Sequence, residues 1–303
     1  AITDANSVYL GNTLYITFSH SITGGTTTVD KTIPYAVTKN GTYTFTVTGT
    51  VNGKSYTKNV SVTVNQFKDV YEYMQTNTKV TYSDGEVWVP EGFKVADDSA
   101  STVQGGVVIE DKDGNQFVWV PVATLADYKR RTWYTGNGSF SDYSEALPED
   151  ERASVDAYKG FYIGRYEAGD KESTGTTKAT FRTSSSDTSN SVTIKADQVP
   201  YSCVTRTQAV SLAEGFATKQ GYKAKTKLVS SYAWDTTIAF IEKTVNNYGS
   251  SSSQGNYSNT SVTYKDITDE SKPEKTKAEN SSLLVATGQT TPVCNIYDMG
   301  GNV

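Results

Sequence analysis

The chain has 303 residues, with 28 Lys+Arg against 33 Asp+Glu, one His, two Cys and a formal net charge of −5. At ~100–200 residues per domain this length suggests about two domains, and the 21 Tyr among 12% aromatic residues mark a chain that folds. The charge excludes a basic footprint for nucleic acid or an anionic membrane, and no apolar run is long enough to span a bilayer. The lone His20 and the distant Cys203 and Cys294 exclude a His-rich zinc site, a zinc ribbon and an iron–sulfur cluster.

Residues 1–66 alternate with period two. Leu14, Ile16 and Phe18 share one face, as do Tyr43, Phe45 and Val47, and Val60, Val62 and Val64; Thr44, Thr46 and Thr48 fall opposite. Such alternation means strands with one buried and one wet face. Asn52-Gly53 fits a tight hairpin turn and Asn40-Gly41 is a second turn signal, so this part is expected to be a small antiparallel β-sandwich. Its segment Lys39–Val64 (KNGTYTFTVTGTVNGKSYTKNVSVTV) resembles bacterial and phage immunoglobulin-like modules, without the Cys…Trp…Cys core of antibody domains.

Residues 67–85 read as a connector in which Val70, Tyr71 and Met74 start a short helix. From Glu86 the runs Val87–Pro90, Gly106–Ile109 and Gln116–Val122 (QFVWVPV) are strand-like, and Asp113-Gly114-Asn115 turns the last two into a hairpin. Further on, Ala209, Val210, Ala213, Phe216 and Ala217 mark a helix with Thr205 or Thr207 as N-cap and Gly221 at its stop. Trp234, Ile238, Ile241 and Val245 mark another, capped by Ser230 or Ser231. Both stripes are read as core contacts. The polar stretches Ser184–Ser191, Ser250–Thr260 and Asp266–Asn280 are read as loops. Cys203 and Cys294 are read as buried free thiols, with a disulfide between them as the alternative.

Four segments then occur in order: Gly160–Gly169 (GFYIGRYEAG), Val199–Gly221, Leu228–Glu242 (LVSSYAWDTTIAFIE) and Asn295–Val303 (NIYDMGGNV). Together with QFVWVPV they resemble the formylglycine-generating-enzyme-like (sulfatase-modifying factor) family, whose domain is an elaborated C-type-lectin fold. The implied fold class is mainly β with some α: an immunoglobulin-like sandwich (1–66), a connector (67–85), and a loop-rich α+β lectin-like domain (86–303) that is C-terminally incomplete. In some members the fourth segment winds around calcium. By resemblance, the Asp298 carboxylate and the carbonyls of Gly301 and Val303 would be ligands; the alternative is a Gly-rich turn with Asp298 as a local cap. The family's copper oxidases carry their catalytic cysteines after this segment, so neither Cys203 nor Cys294 takes their place and no catalytic residue is assigned. Asp111, Asp113, Glu167 and Asp170 are read as solvated carboxylates.

The resemblance extends to display proteins diversified by retroelements, in which variable contact residues follow the glycine-asparagine-valine stretch. The expected function is therefore a non-enzymatic, extracellular ligand-binding, adhesion or display protein, such as a phage receptor-binding component, on a virion or bacterial surface. Its implied partner is a host cell-surface glycan or protein, or another virion protein, without nucleic acid or membrane insertion; homo-oligomers fit. A copper oxidase of the formylglycine-generating type and a structural fibre subunit are the alternatives. Tyr134, Tyr143, Tyr158, Tyr248 and Tyr257 fall in loop-like sequence and are candidate contact residues, each also suited to a structural role.

Overall fold

A computed structural model describes residues 1–10, 13–65, 67, 72–131, 145–170, 191–202, 204–246, 248, 254–264, 274–281 and 283–300. The fold is mainly β with several antiparallel sheets and three helices among these residues.

The first strands are β1 (Ile2–Leu10), β2 (Thr13–His20), β3 (Thr26–Val29), β4 (Tyr35–Ala36), β5 (Gly41–Val51) and β6 (Lys54–Val64). They form two three-stranded sheets, ordered β1-β2-β4 and β3-β5-β6. Alternation turns Phe45 and Val47 inward with Val62 and Val64, into the core that holds Leu14, Ile16 and Phe18. The Phe18 and Phe45 rings meet edge-on, 5.4 Å between centroids. The opposite face is a row of hydroxyl pairs, Thr44 with Ser61 at 2.9 Å and Thr42 with Thr63 at 3.2 Å. Asn52 (φ 49°) and Gly53 (φ 74°) make the two-residue turn joining β5 to β6. Asn40-Gly41 does not make a hairpin. Gly41 opens β5, and the Asn40 amide instead holds the Phe67 backbone, accepting from its N–H at 2.8 Å and donating to its carbonyl at 3.3 Å.

Of the expected helix start, Val70 and Tyr71 lie outside the described residues, and Met74 is not helical. Met74 donates its backbone N–H to the Phe93 carbonyl, and β7 (Thr78–Tyr82) pairs with β8 (Gly85–Val89). Thr78, Val80 and Tyr82 alternate inward, the period-two pattern of a strand. The core runs on without a break from the first sheets through Val80, Val87 and Val89 to Ile109 and Trp119.

Next come β9 (Phe93–Val95), β10 (Val108–Asp111), β11 (Gln116–Pro121) and, after helix α1 (Glu149–Tyr158), β12 (Gly160–Gly164), in a sheet ordered β12-β11-β10-β9. β11 is covered on both sides, which explains its nearly continuous apolar sequence. Trp119 enters the core shared with the first sheets, whereas Val118 and Val120 pack with Ile238, Phe240 and Ile241. The β10–β11 turn is the expected one, with Gly114 at φ 80°. Helix α1 was not anticipated. Its signal is Pro148 followed by Glu149, Asp150 and Glu151 in the first turn, where carboxylates are stabilised by the positive end of the helix dipole. It buries only Val155, so no apolar stripe announces it.

The short strands β13 (Gly169–Asp170), β14 (Val192–Thr193) and β15 (Val199–Pro200) form a small sheet ahead of helices α2 (Arg206–Gln220) and α3 (Ser231–Ile241). α2 starts in a capping box: the Thr205 side chain accepts from the Gln208 N–H while the Gln208 side chain accepts from the Thr205 N–H. Gly221, at φ 74°, closes it. Thr205→Ala is expected to lower stability by ~1 kcal/mol, readable as a shift of the urea midpoint at unchanged m-value.

Ser230 caps α3 through the Ala233 N–H at 3.1 Å. Ile238 and Ile241 are buried as the stripe requires, but Trp234 is 38% exposed and Val245 falls beyond the end of the helix. Trp234 stands four positions after the cap, with exposed Val229 just before the cap, the two places of a hydrophobic staple. Part of the polar stretch 266–280 is also strand: β16 (Val262–Tyr264) pairs with β17 (Lys275–Lys277). No helix among the described residues is long and apolar enough to cross a membrane.

Candidate functional site

The first and fourth segments of the family resemblance, far apart in sequence, meet beyond the end of β12. β12 carries the chain to Arg165, whose backbone N–H donates to the Gln116 carbonyl at 3.0 Å and whose carbonyl accepts from the Tyr297 N–H at 2.9 Å. These bonds hold residues 295–300 against the sheet. The Arg165 side chain is only 5% exposed. Its Nη1 donates to both Asp98 carboxylate oxygens, at 3.0 and 2.8 Å, and to Gln116 Oε1 at 2.9 Å. The guanidinium carbon lies 5.5 Å from the Tyr166 ring centre and 5.8 Å from that of Tyr297, and these rings stack at 4.9 Å. A planar cation suits both tasks, since Nη1 reaches several oxygen acceptors while the faces lie against π-systems.

The turn before Tyr297 is equally tight. Val293 and Ile296 exchange backbone hydrogen bonds around Cys294 (φ 51°) and Asn295 (φ 61°). Asn295 Nδ2 donates to the Gly106 carbonyl at 2.8 Å, tying this turn to the entry of β10. The Cys294 thiol is free and buried, 3.3 Å from Thr244 Oγ1, and burial pushes its pKa up. Burial thus disfavours the thiolate form. Cys203 lies outside the described residues.

Asp298 caps the loop that precedes it. One carboxylate oxygen accepts from the Gly288 N–H at 2.7 Å and the other from Thr290 Oγ1 at 2.9 Å, with a further bond from the Glu167 backbone. The local-cap reading accounts for all of these bonds. Gly301 and Val303, the other expected calcium ligands, lie outside the described residues. No group of three or more His, Cys, Asp or Glu among the described residues is placed to hold a metal ion.

Burial raises the Asp298 carboxyl above the ordinary aspartate value. The native state therefore keeps a proton that the unfolded chain has released. Relative to an Asp298→Asn variant, stability is expected to fall as pH rises from the ordinary value through the raised one, then to level off. Urea unfolding of both proteins between pH 3 and 7 checks the sign.

Beside Arg165 opens a groove of about 360 Å³, lined by Asp97, Asp98, Glu110, Gln116, Tyr166 and Lys195, with Gly114 and Ala196. Gln116 Nε2 donates to Glu110 Oε2 at 2.8 Å, and Lys94 lies 3.4 Å from Glu110 and 3.7 Å from Asp97. One wall is thus a connected polar chain from Lys94 through Glu110 and Gln116 to Arg165 and Asp98. Burial raises the Tyr166 phenol to about 12, so it stays protonated and can donate.

Family models, curated proteins and solved structures were all compared with the chain, and none matches.

Sequence reasoning quoted the segment containing Arg165 and Tyr166 but singled out only Glu167. It missed Asp98 altogether and read Gln116 only as the start of a strand. The usable signal was a single Arg between the apolar strand GFYIG and a Tyr, since a strand end buried on both sides leaves no solvent for the cation. Two carboxylates read as solvated are buried. Asp111 accepts from the Asn115 N–H at 2.7 Å and from the Tyr222 hydroxyl at 2.5 Å, and Asp170 accepts from the Ser191 hydroxyl. Turn geometry and packing recruit them as internal caps. Of the candidate contact tyrosines, Tyr248 is buried, Tyr257 is half-buried and Tyr158 is exposed at the end of α1. Tyr134 and Tyr143 lie outside the described residues.

Proposed function

We propose that this chain is a non-enzymatic binding or display protein of a virion or bacterial surface. Its first six strands would form an immunoglobulin-like spacer, and the remainder a lectin-like head that contacts a host-surface partner. The observation that carries this reading is the Arg165 lock. Residues 160–169 and 295–300, two segments of the family resemblance, are joined there by a buried cation, stacked tyrosines and reciprocal backbone bonds. Such a junction makes a rigid frame at the point where the display proteins it resembles begin their variable contact surface. A rigid scaffold carrying exposed loops is the general arrangement of recognition surfaces.

The test is binding of the fluorescently labelled chain to whole bacterial cells and isolated cell walls. Saturable binding that unlabelled chain competes away is expected. Absence of binding to every surface, with oxygen consumption on a cysteine peptide plus copper, would replace this reading with the oxidase one.

A further inference from the structure

The groove beside Arg165 has a charge balance that narrows what it can hold. Its carboxylates are Asp97, Asp98 and Glu110, and the cations at or behind it are Lys94, Arg165 and Lys195. Three against three leaves no net charge to attract a simple cation or anion. What remains is a dense set of fixed acceptors and donors. Asp98 is held by Arg165, and Glu110 by Lys94 and Gln116, so these groups are already oriented and lose little entropy on binding. The Lys195 side chain lies over Gly114 across the groove, and its ammonium makes no hydrogen bond or ion pair among the described residues, which leaves it free to donate. Tyr166 adds ring surface and a phenol.

We propose that this groove binds a short stretch of a neutral, hydroxyl-rich glycan. Sugar hydroxyls donate and accept at once, which matches carboxylates and an ammonium set side by side, and charged partners strengthen such bonds. The volume lies at the lower end of small-molecule sites, ~300–1,000 Å³, and the lining is more polar than an apolar ligand would want. The assignment rests on the surface-binding reading above and names its ligand class.

Titration calorimetry on the full chain tests it, with maltotriose, cellotriose, mannotriose and N-acetylchitotriose as neutral probes. Chitosan triose serves as the cationic probe and sialyllactose as the anionic one. At least one neutral sugar is expected to bind saturably. The double variant Asp97→Ala/Lys195→Ala is expected to weaken it about tenfold or more while the Tm is kept, because Asp97 is 79% exposed and neither side chain belongs to the core. Binding of only the charged probes, of none, or equally by the double variant overturns the proposal. If the double variant still binds cells as the parent does, the glycan groove fails and the surface-binding reading stands. If the parent binds no cells, that broader reading fails.

Discussion

Replacing Arg165 with alanine is expected to destabilise the protein by ~2–3 kcal/mol. The loss has two parts: charge-assisted bonds to Asp98 and Gln116, worth ~1.5–3 kcal/mol where charged groups are involved, and the contact with the Tyr166 and Tyr297 rings, ~0.5–2 kcal/mol. Relief from burying the cation offsets part of their sum. Removing one member of a fully buried ion pair costs more, ~3–5 kcal/mol, because the survivor is stranded without water. Here the survivor is Asp98, whose side chain is 61% exposed and regains solvent. Arg165→Lys keeps the charge but not the planar face against the two rings, and is expected to fall between the parent and alanine. Urea unfolding followed by tyrosine fluorescence reads all three proteins. A loss below ~0.5 kcal/mol for alanine, the range of ordinary surface changes, would show that Arg165 does not lock the frame.

Gly106→Ala is expected to be at least as damaging, ~3 kcal/mol or more, for a steric reason. An added Cβ would stand 1.9 Å from the Cys294 carbonyl oxygen and 2.4 Å from its carbon, at a backbone φ of 92°. Both obstacles are main chain, so no side chain can swing aside. The entry to β10 and the 293–296 turn must separate, which also breaks the bond from Asn295 to the Gly106 carbonyl. Gly114→Ala is the control. It too has positive φ, 80°, but its Cβ would meet only the flexible end of Lys195 at 3.8 Å, so it carries just the conformational cost of ~1 kcal/mol. Equal Tm losses for the two variants would refute the close approach of Gly106 to Cys294.

What could be read from sequence was local. Asn52-Gly53 and Asp113-Gly114-Asn115 placed two hairpin turns, because few residues tolerate the backbone those turns need. Thr205, Gln208 and Gly221 bounded α2 through bonds that lie within a few positions of one another. α1 escaped notice since it buries one residue, and β7 because residues 67–85 were read as a connector. Trp234 belonged to the right helix but not to its buried face.

The candidate site was legible only as two unrelated motifs. Arg165, Asp98, Gln116 and Asn295 come from four separate stretches of the chain, and nothing in their spacing states that they touch. The amino-acid sequence by itself determined the strand alternation, the tight turns, both ends of α2 and the start of α3, since these depend on backbone preferences and near-neighbour bonds. Tertiary structure alone decided that Asp298 caps a loop, that the first sheets and the later sheet share one core, and that a neutral polar groove opens beside a buried arginine. Each of these depends on burial and on partners brought together across long loops, where removal from water, rather than residue type, sets what a charged side chain does.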